Sequence, residues 1–389
     1  MQLESIQHEI RTQHLDGWLF FDHHLRDPLA YRVLGFEAPR IPTRRWYYLI
    51  PAQGEPRKLV HRIESGMLDE VPGETTVYSS WSEQTAGLRH LCTGCHRVAM
   101  QYSPNCAIPY VSMVDAGTVE LVRSLGVEVA SSAELIQAFE ARWTPEALEM
   151  HLEAGRRVDR VRAQAFDLVR ERVRNTAPVT EFEVQAFVRK GFASSGLVTD
   201  HGPIVAVNAN ASNPHYEPTE TANCPIHAGD LVLLDMWAKL DRPGAVYYDI
   251  TWSHFCGDNP PDEMRRVFEV VTTARDAGVH RVQAAMASGH PLYGYQVDDA
   301  ARGVIETRGY GSYFTHRTGH SIGVEVHGSG ANMDNLETHD ERRVMPWSCF
   351  SVEPGIYLPE FGIRSEVNVF AGDHDARVTG EVQPQLALF

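Results

Sequence analysis

Residues 315–328, THRTGHSIGVEVHG, place His316, His320 and His327 within twelve positions. Histidines this dense can ligate a metal, move protons, or fill a β-rich core, and the spacing alone does not choose. Gly319 and Gly323 make the stretch a poor helix, so the interval of four is not a helical ligand pair. SIGVEV reads as a strand leaving a tight loop.

Four carboxylates stand where carboxylates are rare. Asp235 lies between VLL and MWA, Asp249 between VYY and ITW, Glu353 between FSV and PGIY, and Glu366 between IRS and VNVF. Taken singly, each could be the solvent-facing position of a half-exposed strand, and Arg364 is close enough to pair with Glu366. Taken together they break four apolar runs, and buried carboxylates need partners or metals. The pairs are fourteen and thirteen residues apart, each across a turn, so each hairpin can bring its two acids to neighbouring positions. Four converging carboxylates without a cation would repel one another and protonate. Divalent ions relieve that, and one added imidazole makes a mixed N/O set suited to Mn, Co, Fe or Zn rather than Mg or Ca. Five ligands are many for one ion and suit two held a few ångströms apart.

The elements that must position these groups are readable. DLVLLDMWAKL (230–240) and AVYYDITWSHF (245–255) form one expected hairpin, CFSVEPGIYL (349–358) and GIRSEVNVFAG (362–372) a second of the same plan; PIVAVN (203–208) is a further strand. Helices are expected over 144–173, 181–196, 263–283 and 297–311, the first opened by Thr144 as cap and Pro145 at its first position. Upstream, GWLFF (17–21), WYYLI (46–50) and HRVAMQY (96–102) read as strands and 114–126 as a helix, followed by the strand VEVA. The expectation is an α/β domain of parallel-sheet character over residues 1–140 and an α+β domain over 144–389, with helices grouped against an antiparallel sheet.

Composition bounds the function. A length of 389 residues favours two domains or one large one. The net charge of −16, from 35 basic and 51 acidic residues, argues against nucleic acid or an anionic membrane as the main partner. No apolar run is long enough to span a bilayer, and the polar amphipathic N-terminus lacks a signal-peptide core, so the cytoplasm is the expected location. Six scattered cysteines suit reduced thiols; Cys92 and Cys95 form a lone C-x-x-C without the second pair a zinc site needs.

The order Asp235, Asp249, His320, Glu353, Glu366, set in VLLDMWA, YYDITWS, HRTGHSIG, SVEPGIY and GIRSEVN, resembles the pita-bread metallopeptidases. That family includes methionine aminopeptidase, Xaa-Pro aminopeptidase, prolidase and the metal-free creatinases. The likeness runs from about residue 144 to the C-terminus, while residues 1–140 fit the N-terminal domain of the proline-specific and creatinase branch loosely. It implies a pseudo-twofold pita-bread domain holding two divalent ions, Mn²⁺ foremost, with Co²⁺, Zn²⁺ or Fe²⁺ as alternatives. By the resemblance Asp235 binds one metal, Asp249 and Glu366 bridge the two, and His320 and Glu353 complete the other. Glu353 would also carry the proton from a metal-activated water to the leaving nitrogen. His215, in SNPHYEP, matches a substrate-side histidine; His316 and His327 match pocket-lining histidines; Tyr357 and Arg364 match residues that orient the bridging acids. His215 or His327 would join a metal in stabilising the oxyanion. A purely structural role for His316 and His327 is the alternative.

The implied substrates are proline-containing di- or short peptides, and the family also suggests a homodimer. The N-terminal extension favours the proline-specific branch, and the C-terminal segment looks like bacterial prolidases. Some prolidases hold the substrate carboxylate with an arginine just after the third histidine. Here GSGAN follows His327, leaving Arg342 or Arg343 as substitutes. Xaa-Pro dipeptidase is preferred over Xaa-Pro aminopeptidase. A metal-free amidinohydrolase or a non-enzymatic binding protein on the same scaffold are the rivals from other classes, and the presence of all five ligands argues against both. Only His320 of the opening stretch is then needed as a ligand.

Overall fold

The structure is a computed structural model that describes residues 2–36, 41–175, 177 and 179–389. It divides into two compact units, Met1–Glu140 and Ala141–Phe389.

The first unit runs α1 (Leu3–Thr12), β1 (Gly17–Asp22), α2 (Pro28–Leu34), β2 (Trp46–Pro51), β3 (Arg57–His61), β4 (Glu74–Tyr78), α3 (Trp81–Leu91), β5 (Arg97–Met100), α4 (Ala116–Ser124), β6 (Glu128–Ser131) and α5 (Ala133–Ile136). Its six strands form one sheet in the order β4-β3-β2-β1-β5-β6. The sheet is mixed rather than parallel: β2 runs antiparallel to both β1 and β3, and the other five strands share one direction. Apolar side chains cover both faces, with Trp18, Phe20 and Tyr48 in one cluster and Leu19, Tyr47 and Leu49 in the other. That two-sided burial is why WYYLI has no polar alternation. Cys92 belongs to the second cluster, and burial pushes its thiol up to about 12, which suits an inert core thiol.

The second unit opens with α6 (Pro145–Arg174), where Thr144 accepts a bond from the Ala147 N–H. It continues through β7 (Val179–Thr180), α7 (Glu181–Ser194), β8 (Leu197–Val198), β9 (Ile204–Val207), β10 (Pro225–Ile226), β11 (Leu231–Leu240), β12 (Tyr248–Phe255), α8 (Asp262–Ser288) and α9 (Gly294–Thr307). The remaining strands are β13 (Ser321–Ile322), β14 (Ser348–Val352), β15 (Gly355–Tyr357), β16 (Gly362–Arg364), β17 (Val367–Ala371), β18 (Ala376–Thr379) and β19 (Ala387–Leu388). Strands β9, β11 and β12 pair antiparallel, as do β13, β14, β17 and β18 in that order; β19 alone joins β12 in parallel. On one flank α6 buries Val158, Val161, Ala165 and Val169 against β11 and β12. On the other α8 sets Val279 and Val282 against Val352, Val367 and Val369. Burying each such side chain stabilises the layer by roughly 1.5–3 kcal/mol.

Asn368 is one of the side chains that join the two β groups. Asn368 of β17 accepts the Asp249 N–H at 3.0 Å and donates to the Asp249 carbonyl, mimicking a ladder pair between β12 and β17. The Glu366 N–H donates to the Thr251 carbonyl beside it.

The structure corrects the strand readings at two places. The second hairpin is broken in both arms, because Pro354 has no N–H to give, the Glu353 N–H turns to the Thr318 carbonyl, and the Glu366 N–H turns to Thr251. SIGVEV is a strand for only two residues. Gly323 then donates to the Glu325 carbonyl and Gly328 to Ser321, closing a loop that leaves Val324 43% exposed.

Candidate metal centre

Asp235 faces Thr251, and Trp237 faces Asp249, in the β11–β12 register. Positions two apart share a face, so the two aspartates are diagonal neighbours on one side of the hairpin. Glu353 and Glu366 enter from the breaks in the second hairpin, where the chain leaves the ladder and a side chain can turn inward. Asp235, Asp249, His320 and Glu366 are all buried, and one ligand atom each from Asp249, His320 and Glu366 lies within 4.8 Å of the other two.

His320 is held for ligation. Its Nδ1 lies 3.2 Å from the Ser321 carbonyl and donates to it, which leaves Nε2 bare. That Nε2 is 3.4 Å from Glu353 Oε1 and 3.5 Å from Asp249 Oδ2. The Ser351 hydroxyl accepts the His320 N–H at 2.9 Å and donates to Glu353 at 3.1 Å. Gly319 is required by contact: a Cβ there would meet the Ser351 carbonyl oxygen at 1.9 Å. Helix α9 latches the preceding residues. Asp298, fully buried, accepts Thr318 N–H and Oγ1–H and pairs with Arg302, whose other bonds go to the carbonyls of Phe314 and His316. Thr318 in turn takes the Glu353 N–H at 2.7 Å, so one helix sets both the histidine and the glutamate.

Arg364 is the buried hub. Its guanidinium pairs with Asp235, donates to Thr251 Oγ1 at 3.0 Å and to the Tyr357 hydroxyl at 3.1 Å, and stands 3.8 Å from Glu353. Thr251 passes its own proton to Glu366 at 2.8 Å. The pairing of Arg364 with Glu366 expected from proximity is therefore indirect, and the direct partner is Asp235. Tyr357 donates to His316 Nε2 at 2.6 Å, while His316 Nδ1 donates to the Arg317 carbonyl at 2.7 Å.

The electrostatics of the centre suits bound cations. Burial lifts Asp235 to about 7 against the pull of Arg364, with Asp249 and Glu353 adding to the rise. Asp249 and Glu366 are pushed well above the ordinary carboxylate range, first by burial and then by the neighbouring acids. Glu353 goes the other way: burial works to raise it, but His320, His316, Arg364 and Arg317 outweigh burial and hold it below its ordinary value. Asp249 Oδ1 and Glu366 Oε1 are buried without a hydrogen-bond partner. Two orphaned carboxylate oxygens beside a bare imidazole nitrogen fit divalent cations, which would satisfy the oxygens and cancel the repulsion.

The remaining expected residues divide. His327 is exposed at the centre's edge, its ring edge-on to His320 at 4.4 Å, and it is lowered to about 4 chiefly by that neighbour. His215 lies on an exposed loop, its N–H donating to Asn213, and no hydrogen bond ties it to the acids. Both ring nitrogens of His316 are engaged, one by the Tyr357 hydroxyl and the other by the Arg317 carbonyl. Arg342 is corrected outright: it is buried, paired with Asp340, and bonded to the Ser329 carbonyl, which makes it a tie of the 329–342 loop rather than a carboxylate binder. Arg343 is exposed.

Thr251, Ser351, Asn368 and Asp298 were missed, since a buried polar residue in a strand or helix gives no signal until its distant partner is known. Asp200 was missed as well; it accepts from Trp237 Nε1 at 2.8 Å and its charge raises Asp249.

With this geometry stands a match of the metallopeptidase family M24 model to residues 149–373. This chain belongs to metallopeptidase family M24. Relatives of the M24 chain include an Xaa-Pro dipeptidase of Lactobacillus delbrueckii subsp. lactis, 31% identical over 214 residues, 55% of this chain and 52% of that one. An Xaa-Pro dipeptidase of Lactobacillus helveticus is 29% identical over 240 residues, 61% of this chain and 59% of that one. The alignments span between half and three fifths of those relatives' length. Among solved structures, the dipeptidase PepE of Mycobacterium ulcerans superposes with a TM-score of 0.72 at 22% identity, covering 100% of this chain and 96% of that one. An X-Pro aminopeptidase from Thermotoga maritima gives 0.62 at 20% identity, covering 100% and 99%. These likenesses establish the two-domain pita-bread fold for the M24 chain.

Proposed function

We propose that this M24 chain is an Xaa-Pro dipeptidase working with two divalent ions, Mn²⁺ foremost. The observation that carries the reading is the convergence of Asp249, Glu366 and His320 with two carboxylate oxygens left unpartnered. The names borne by its relatives direct it to Xaa-Pro bonds. In this reading Asp235, Asp249, His320, Glu353 and Glu366 would hold the ions. The ions would supply Lewis acidity and a water of lowered pKa.

The chain's own groups do the rest. Glu353, the one of the centre's four carboxylates held below its ordinary value, is the carboxylate ready to accept a proton and return it to the leaving nitrogen, which in an Xaa-Pro bond carries no hydrogen of its own. His327 is neutral at working pH, so it acts as an N–H donor to the scissile carbonyl rather than as a cation. His215 completes the substrate side from its loop. Arg364 keeps Asp235 oriented, and His316 keeps Tyr357 oriented. Arg343, exposed next to Arg342 in the chain, is the cation proposed for the dipeptide carboxylate. The reading includes a cytoplasmic homodimer. Among the described residues no helix is long and apolar enough to cross a membrane.

Assays of Ala-Pro beside Ala-Pro-Ala, run with metal analysis of the same preparation, test it. The expected outcome is cleavage of the dipeptide with about two equivalents of transition metal bound. Cleavage of the tripeptide alone transfers the protein to the aminopeptidases; less than half an equivalent of metal, with no activation by Mn²⁺, removes the dinuclear reading.

A further inference from the structure

The Met1–Glu140 unit contains a cavity of about 660 Å³, within the range of small-molecule sites. It holds none of the metal-centre side chains. It opens at the edge where the codirectional strands end: His23 and Arg26 follow β1, His61 ends β3, and Ser80 and Trp81 follow β4. Loops beyond the carboxyl ends of such strands are the usual place for a ligand in an open α/β sheet.

The wall is cationic in a chain of net charge −16. Arg26, Arg44 and Arg45 all line it, and among the described residues none of the three is ion-paired to a carboxylate within bonding distance. Among the described residues the Arg44 guanidinium bonds to the carbonyl and hydroxyl of Thr43. The acids nearby are engaged elsewhere. Asp22 takes the N–H groups of Leu25, Arg26 and Asp27 and the Tyr31 hydroxyl, which fixes the turn that presents Arg26. Glu64 takes the N–H groups of Thr43 and Arg44 and the Thr43 hydroxyl. Asp115, the acid on the wall itself, caps α4 through Thr118 N and Oγ1, both at 2.9 Å. Glu64 is the acid whose charge acts on Arg44 from outside the cavity lining, so three arginines against one lining acid, Asp115, leave a cationic surplus that a bound anion would relieve. Beside them Trp81, the first residue of α3, lines the cavity and is 77% exposed.

We propose that this cavity binds a small phosphorylated ligand with a planar aromatic part, the class of a nucleoside monophosphate, with the phosphate on Arg26, Arg44 and Arg45 and the ring system against Trp81. The inference stands apart from the peptidase reading.

Calorimetric titration of the metal-loaded full-length protein with AMP, and separately with inorganic phosphate, tests it. AMP is expected to bind saturably at one site. The double variant Arg44→Gln/Arg45→Gln should weaken both ligands roughly tenfold or more, the scale of losing charge-assisted bonds. Trp81→Ala should weaken AMP about fivefold or more while leaving phosphate unchanged. Melting temperature and metal content, read on each variant, should match wild type and show that the fold is intact. Failure of both ligands to saturate overturns the site. So does binding that survives the arginine changes and vanishes on chelation, since that places the anion on the metal centre. Equal binding of AMP by wild type and Trp81→Ala overturns the aromatic part of the assignment.

Discussion

Asp235→Asn offers the sharpest test of the electrostatics at the centre. In the metal-free protein burial lifts Asp235 to about 7, whereas an unfolded aspartate titrates near 3.8. The folded state therefore holds this proton more tightly than the unfolded state between those values. Raising the pH through that window then removes stability. The full difference corresponds to about 4 kcal/mol once both states are ionised, of which about 2 kcal/mol falls between pH 5 and pH 7. Urea denaturation of the chelated protein at those two pH values should show the loss, and Asp235→Asn should remove about 2 kcal/mol of it. The slope is the quantity to read, because stability at a single pH also records what Arg364 loses with its charge partner. Saturating metal should abolish the wild-type slope, since bound cations keep the carboxylates ionised in the folded state. A variant slope equal to wild type would refute the claim that Asp235 is raised by its surroundings.

Further outcomes follow from the same contacts. Glu353→Gln should lower kcat by roughly 10²–10⁴ at saturating metal, measured on Ala-Pro, because the amide cannot accept the proton. Arg342→Met should destabilise the fold by about 3–5 kcal/mol by leaving Asp340 buried and unpaired; a raised KM at unchanged melting temperature would instead return Arg342 to the substrate. Tyr357→Phe should cost about 1–3 kcal/mol by removing the hydroxyl between His316 and Arg364. Its readout is a fall in kcat at fixed metal content, absent if the hydroxyl only packs.

Much of the centre was legible because it breaks local rules. An aspartate inside LVLLDMWAKL or AVYYDITWSHF contradicts the pattern around it, and such contradictions mark sites that distant partners must resolve. Thr144-Pro145 announced the start of α6 through cap chemistry that needs no tertiary context. Continuous apolar runs such as WYYLI likewise revealed the strands, though not the antiparallel insertion of β2 in the first sheet.

What the sequence alone determined is the set of ligating types and the elements that carry them, since both are written in residues near one another in the chain. What only the tertiary structure decided is the pairing. Arg364 sits two residues from Glu366, yet its partner is Asp235, 129 positions away. His316 reads as a pocket-lining histidine beside His327, and only the fold shows that Tyr357 and a carbonyl take both its nitrogens. The break in the second hairpin depends on the Thr318 and Thr251 carbonyls capturing N–H groups from another part of the chain. Hydrogen bonds and charge pairs act through a few ångströms of space, so the sequence can show which groups seek partners, while the fold decides which partners they meet.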